Sequence, residues 1–329
     1  MAPAIVGRWL ENRHIVPPVA SYWVVSIGLV FLNQHLLSGT GEKLNVPLFI
    51  TWCQCLVTVV LCTLLHWGSE KWSILPIFPK LDLNLRTCKD ILPLSVVFVA
   101  MISFNNLCLK NTGVSFYYIG RSLATVFNVF LTPHMLGEMP SKNIHLACFL
   151  IIIGFSIGSG EKDIGNELSV NGVFFGIAAS FVVALNAILT KTALPKVGNC
   201  IWKLTWYNNV LASILFIPFM MLTGDLERIY NEVPDGNFWR MLLVSGIFGF
   251  SMNYVTGWQI KATSPLTHNI SANAKSATQT LLAVIVFREI KPFSWWTSNF
   301  VILLGSSFYT WTRNHEMKKE EEANKSKTS

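Results

Sequence analysis

The chain has 329 residues, 52% hydrophobic and only 13% charged, with a formal net charge of +7. Soluble domains carry about 25% charged residues, so this composition excludes an ordinary water-soluble globule. Long stretches without Asp, Glu, Lys or Arg point to a polytopic helical membrane protein, whereas outer-membrane barrels read as alternating segments of about ten residues.

In chain order, residues 1–19 contain no compact apolar core followed by a small-residue cleavage site, which predicts a retained cytosolic leader. Ten segments then supply the roughly 20 apolar residues that a helical crossing requires. They are 20–38, 46–68, 90–110, 114–136, 143–160, 169–190, 202–223, 239–260, 264–287 and 293–312. An even number of spans puts both termini on one side. If that side is cytosolic, 16 Lys and Arg residues fall in cytosolic segments and 7 on the opposite side, in accord with the positive-inside rule. The acidic loop GDLERIYNEVPDG (224–236) is then lumenal or exterior. The net positive charge is accounted for by cytosolic loops, and no nucleic-acid partner is expected.

The two halves repeat. With an offset of 151, Lys110 falls on Lys261, Thr112 on Thr263, Glu138 on Glu289 and Gly154 on Gly305. TWCQC (51–55) matches TWYNN (205–209) with an offset of 154, and Asn33 matches Asn186 with one of 153. The expected organisation is a first five-helix repeat at 20–160, a lumenal linker at 161–168, a second repeat at 169–312 and a charged cytosolic tail at 313–329. Five spans per repeat invert the second copy, and inverted repeats characterise secondary transporters. The fold expected is an all-α membrane protein of ten transmembrane helices in a 5+5 inverted repeat.

Seven cysteines include no C-x-x-C pair, and the histidines show no metal-ligand spacing. Neither a metal nor a cofactor is expected, and the cysteines read as small apolar fillers.

Two basic residues lie deep in the spans, Arg121 in the fourth and Lys275 in the ninth, which is the fourth of its half. No Asp or Glu lies deep in the spans with them. One reading is structural, with each cation snorkelling to an interface or bonding helix-end carbonyls. That suits Arg121, near the lumenal end of its span, better than Lys275, about 17 Å from either end. The other reading is functional, with an anionic ligand such as phosphate or diphosphate between a planar guanidinium and a compact ammonium. A proton relay usually wants an acid or a histidine in its path, so anion exchange is favoured. A membrane-embedded enzyme would want a base or metal-binding carboxylates near the reacting centre, and no carboxylate lies deep in the spans, so the chain is not expected to be an enzyme. Polar islands flank these charges. Tyr207, Asn208 and Asn209 open the seventh span, Gly120 beside Arg121 permits close approach, and His268, Asn269, Ser271 and Asn273 precede Lys275. Each island also has a plain reading as helix-packing amides or a packing histidine.

The 5+5 plan with WYNN (206–209) resembles the nucleotide-sugar transporters of the drug/metabolite transporter superfamily, in which GDP-sugar carriers have F-Y-N-N; Trp206 stands here for Phe. SFNNLCLKNTGVSFYYIGRSLATVFNV (103–129), YVTGWQIKATSPLTHNISANAK (254–275) and SSFYTWTRNHEMKK (306–319) are similar to the carriers of GDP-fucose in that family. The resemblance covers most of the chain from about residue 20. It implies the drug/metabolite transporter fold, a multi-pass Golgi membrane location in the lipid bilayer, and exchange of cytosolic GDP-fucose for lumenal GMP by alternating access. It assigns Tyr207, Asn208 and Asn209 to the guanine and Lys275 to phosphate. Arg121 is then expected at the phosphates too, and His268, Asn269, Ser271 and Asn273 at the ribose or sugar end. The ninth span has SANAK where GDP-mannose carriers have G-A-L-N-K, a departure that speaks against mannose. A homodimer is a further expectation.

Overall fold

A computed structural model describes residues 16–38, 46–71, 78–137, 139–159, 170–232, 235–262, 271–272, 274–276, 278–279, 281–282, 284–285 and 292–328. Among the described residues every regular element is helical. The long helices are α1 (Val16–Ser38), α2 (Pro47–Lys71), α3 (Leu85–Leu136), α4 (Lys142–Ser159), α5 (Val170–Ala193) and α6 (Ile201–Thr223). They are followed by a short α7 (Asp225–Asn231), then α8 (Gly236–Ala262) and α9 (Phe293–Thr328). The described residues between 271 and 285 are helical as well. Among the described residues, five stretches are long and apolar enough to cross a membrane: Val16–Asn33, Pro47–Lys71, Leu85–Cys108, Gly172–Val197 and Ile201–Thr223. A shorter apolar helix covers Lys142–Gly158.

Two elements differ from the expectation. The turn expected between the third and fourth spans, near 111–113, is not a break, because α3 runs through it for 52 residues. The stretch KNTGV (110–114) holds no proline, and one glycine costs a helix only about 1 kcal/mol, so nothing there stops helical backbone. The length of α3, about 78 Å if straight, exceeds two hydrocarbon thicknesses of about 30 Å. At the other end α9 continues beyond the expected span, through the charged tail to Thr328.

The chain forms two compact units, and these are not the two sequence halves. The first comprises Met1–Ser103 with Leu189–Ala262, the second Phe104–Ile188 with Thr263–Ser329. Each unit therefore draws on both halves.

In the first unit α2 packs on α6 and α8, and α1 packs on α8. Its core includes Phe49, Cys55, Val99, Phe216 and Phe238, all buried. Equivalent tryptophans bridge α2 and α6 in both directions. Trp52 Nε1 donates to the Ser213 carbonyl at 2.9 Å, and Trp206 Nε1 donates to Thr63 Oγ1 at 3.2 Å. A half-buried polar brace joins three helices, with Gln54 Nε2 donating to Asn33 Oδ1 at 2.8 Å and to Ser245 Oγ at 3.1 Å. The starts of α3 and α8 are capped by side chains: Asn84 Oδ1 accepts from the Arg86 N–H and Asp235 Oδ1 from the Phe238 N–H, both at 2.9 Å. Pro47 opens α2, and the cap comes from elsewhere in the chain. The buried Asp225 carboxylate accepts from the Leu48 and Phe49 N–H groups at 3.1 and 3.3 Å.

In the second unit α4 packs on α9. The contact centres on two glycines. A Cβ on Gly154 would meet Ile302 Cγ1 at 2.7 Å and the Ser298 carbonyl at 3.1 Å. A Cβ on Gly305 would meet Ile151 Cγ1 at 2.9 Å and the Ala147 carbonyl at 3.1 Å. These partners are related by the sequence offset of 151: Gly154 to Gly305, Ile151 to Ile302, Ala147 to Ser298. The crossing is reciprocal, and as the residue number rises on one helix it falls on the other, so the pair runs antiparallel. All seven cysteines are free thiols, four of them buried.

Candidate functional site

In the second unit, Arg121 on α3 is exposed and Lys275 is half-buried. The two are near enough for the guanidinium charge to act on the Lys275 ammonium. Like charges repel, and the more strongly the less water surrounds them; a ligand with two or more negative charges lowers that repulsion and takes charge-assisted hydrogen bonds from both. The backbone beside Arg121 is tied down, because the buried Gly120 carbonyl accepts from Ser180 Oγ of α5 at 2.6 Å. Ser271 and Gln279 lie one turn before and one turn after Lys275, on the same helix face, and both are buried polar side chains. Sequence reasoning missed Gln279, although the spacing of four residues from Lys275 was available as a signal. His268, Asn269 and Asn273 lie outside the described residues.

Tyr207, Asn208 and Asn209 belong to the first unit, in the first turns of α6. Tyr207 is buried, and its ring meets Trp206 edge-on at 5.1 Å. Its hydroxyl donates to the Asp82 carbonyl and accepts from the Asn84 N–H at 3.1 Å, so it pins the segment that leads into α3. Phe78 in the same segment packs its ring 5.5 Å from Trp202. Asn208 and Asn209 are half-buried. Asn208 Oδ1 accepts from Ser95 Oγ at 2.9 Å, and Asn209 Nδ2 donates to the Thr205 carbonyl at 2.7 Å. Ser95 is a second residue that sequence reasoning missed. It is one hydroxyl in an apolar helix, 113 positions from its partner.

Residues 16–310 match the Triose-phosphate Transporter family. The chain belongs to that family. Among its relatives, the "GDP-fucose transporter" of Caenorhabditis elegans is 50% identical, covering 95% of this chain and 86% of the relative. The "GDP-fucose transporter 1" of Mus musculus is 49% identical over 97% of this chain and 88% of its own length. The "GDP-fucose transporter, Golgi" of Drosophila melanogaster is 39% identical over 96% and 94%. A crystal structure superposes with a TM-score of 0.55 at 12% identity, covering 92% of this chain and 98% of the other. At that identity it speaks to the fold alone. Triose-phosphate Transporter family membership makes this chain a carrier and not an enzyme.

Proposed function

We propose that this chain is a nucleotide-sugar antiporter of the Golgi membrane that moves GDP-fucose from cytosol to lumen in exchange for GMP by alternating access. The observation that carries the substrate is the near-full-length identity of about half to relatives named GDP-fucose transporters. The Golgi location rests on the name of the Drosophila relative, and the cytosolic placement of both termini on the distribution of Lys and Arg. Ten spans in a 5+5 inverted repeat are the architecture proposed. The reciprocal antiparallel crossing of Gly154 and Gly305 and the paired tryptophans Trp52 and Trp206 support it.

In this reading Arg121 and Lys275 hold the diphosphate. The guanine is read by Tyr207 through its ring and by Asn208 and Asn209 through their amides. Ser271, with His268, Asn269 and Asn273, serves the ribose and sugar end, and Gly120 gives the phosphates close approach to the backbone. Exchange follows from the same charges: a carrier that always returns with GMP does not reorient with its two cations left facing each other.

The test is inhibition of labelled GDP-fucose uptake by unlabelled GDP-fucose, GDP-mannose and UDP-sugars in proteoliposomes. Strong inhibition by GDP-fucose, weaker by GDP-mannose and none by UDP-sugars is expected. Equal inhibition by UDP-sugars contradicts the assignment of the guanine.

A further inference from the structure

Residues 78–84 lead into α3 as irregular backbone. They are fastened to the first unit at both ends and in the middle. The Phe78 N–H donates to Ser69 Oγ in the last turn of α2 at 2.9 Å, and the Phe78 ring packs on Trp202. Leu81 packs on the buried cluster that contains Cys62, Leu204 and Tyr207. At the far end the Tyr207 hydroxyl holds the Asp82 carbonyl and the Asn84 N–H. Both partners are backbone groups, so their accepting and donating roles are fixed. Phe78 and Leu81 are half-buried, whereas Lys80, Asp82, Leu83 and Asn84 are exposed.

This arrangement constrains any ligand of Tyr207, which is only 4% exposed. A base stacks on the face of an aromatic ring, and a ring so covered offers no open face. Part of the cover must move before a guanine reaches it. The neighbours Cys62, Ile91, Leu94 and Leu204 stand on α2, α3 and α6, where backbone hydrogen bonds hold them. Residues 78–84 have a few bonds and two half-buried apolar side chains, and such a segment opens at lower free energy than a helix. We infer that residues 78–84 form a strap that closes over Tyr207 in the empty carrier and lifts when the base seats on its ring. Strap and nucleotide compete for Tyr207, and a ligand that binds the lifted form shifts the population towards it. The distribution of Lys and Arg puts these residues on the cytosolic side, so the closed strap shuts the cytosolic approach to the base. The inference rests on the reading above that Tyr207 faces the base.

The experiment follows hydrogen exchange of the full-length protein in detergent with and without saturating GMP, alongside inhibition of labelled GDP-fucose uptake in proteoliposomes. The Phe78 and Asn84 amides are expected to exchange about tenfold faster with GMP, as when an open form of about 10% becomes the main one. UMP is expected to leave them unchanged. Binding that merely stabilises the fold slows exchange, so the sign of the change decides. Phe78→Ala removes the packing on Trp202 and is expected to speed exchange at Asn84 without nucleotide, so that GMP adds little. If GMP inhibits uptake yet leaves exchange at 78–84 unchanged or slows it, the strap inference is overturned. Tyr207→Ala separates the two claims. If it weakens inhibition by GMP while GMP does not speed strap exchange in the unaltered chain, the strap alone fails. If inhibition by GMP is as strong in Tyr207→Ala as in the unaltered chain, Tyr207 does not face the base and the underlying reading fails with it.

Discussion

Lys275 was legible in the sequence because a charge in an apolar run is costly, roughly 2.5–3.5 kcal/mol at a helix centre, and rarely stands there without use. Arg121 was legible for the same reason, and the structure adds that its charge acts on that of Lys275. Charge-assisted hydrogen bonds are worth roughly 1.5–3 kcal/mol. Lys275→Ala is therefore expected to lower initial rates of GDP-fucose uptake at least about tenfold, with protein level checked in the same vesicles. Lys275→Arg keeps the charge but replaces a compact ammonium by a planar fork and is expected to recover only part of the rate. Tyr207 separates ring from hydroxyl. Its hydroxyl is bonded to Asp82 and Asn84, so Tyr207→Phe is expected to speed hydrogen exchange at residues 78–84 while leaving inhibition by GMP intact; Tyr207→Ala loses both. The bonds of Tyr207 and Ser95 were not legible. Their partners lie 125 and 113 positions away, and no local pattern marks a hydroxyl that leaves its own helix.

At the scale of elements, the apolar runs gave the all-helical class, and five of the described stretches have the length and hydropathy that decide a crossing. They gave no warning that α3 continues through residues 111–113, since helical backbone needs no apolar side chains. The cap of α2 was equally hidden. Asp225 stood in the sequence as one acid of a lumenal loop, and it is a buried acceptor for two N–H groups 176 and 177 positions away. Asp225→Ala leaves those donors without a partner and is expected to cost about 1–3 kcal/mol, read as a lowered unfolding temperature in detergent, with Asp225→Asn milder because an amide oxygen still accepts. The crossing of α4 and α9 is tight enough to test by volume. Gly154→Ala places a methyl 2.7 Å from Ile302 Cγ1, and overpacking of this kind costs about 1–3 kcal/mol. Ile302→Ala in the same chain removes that clash and is expected to restore part of the loss, the remainder reflecting the Ser298 carbonyl at 3.1 Å.

For the whole molecule, the repeat seen in the sequence and the compact units seen in the structure divide the chain differently, because the units take helices from both halves. Sequence offsets record repetition along the chain, whereas compactness records packing, so the two need not divide the chain at the same places. Orientation belongs to this scale too. Epitopes at both termini are expected to be digested by protease in intact Golgi vesicles while lumenal markers survive. Protection of either terminus contradicts an even number of spans with cytosolic ends. The central claim is exchange of GDP-fucose for GMP, and one comparison tests it most directly: uptake of labelled GDP-fucose into proteoliposomes preloaded with GMP and into empty ones. Uptake well above binding stoichiometry and strongly stimulated by internal GMP is the predicted result; equal uptake in loaded and empty vesicles would contradict it.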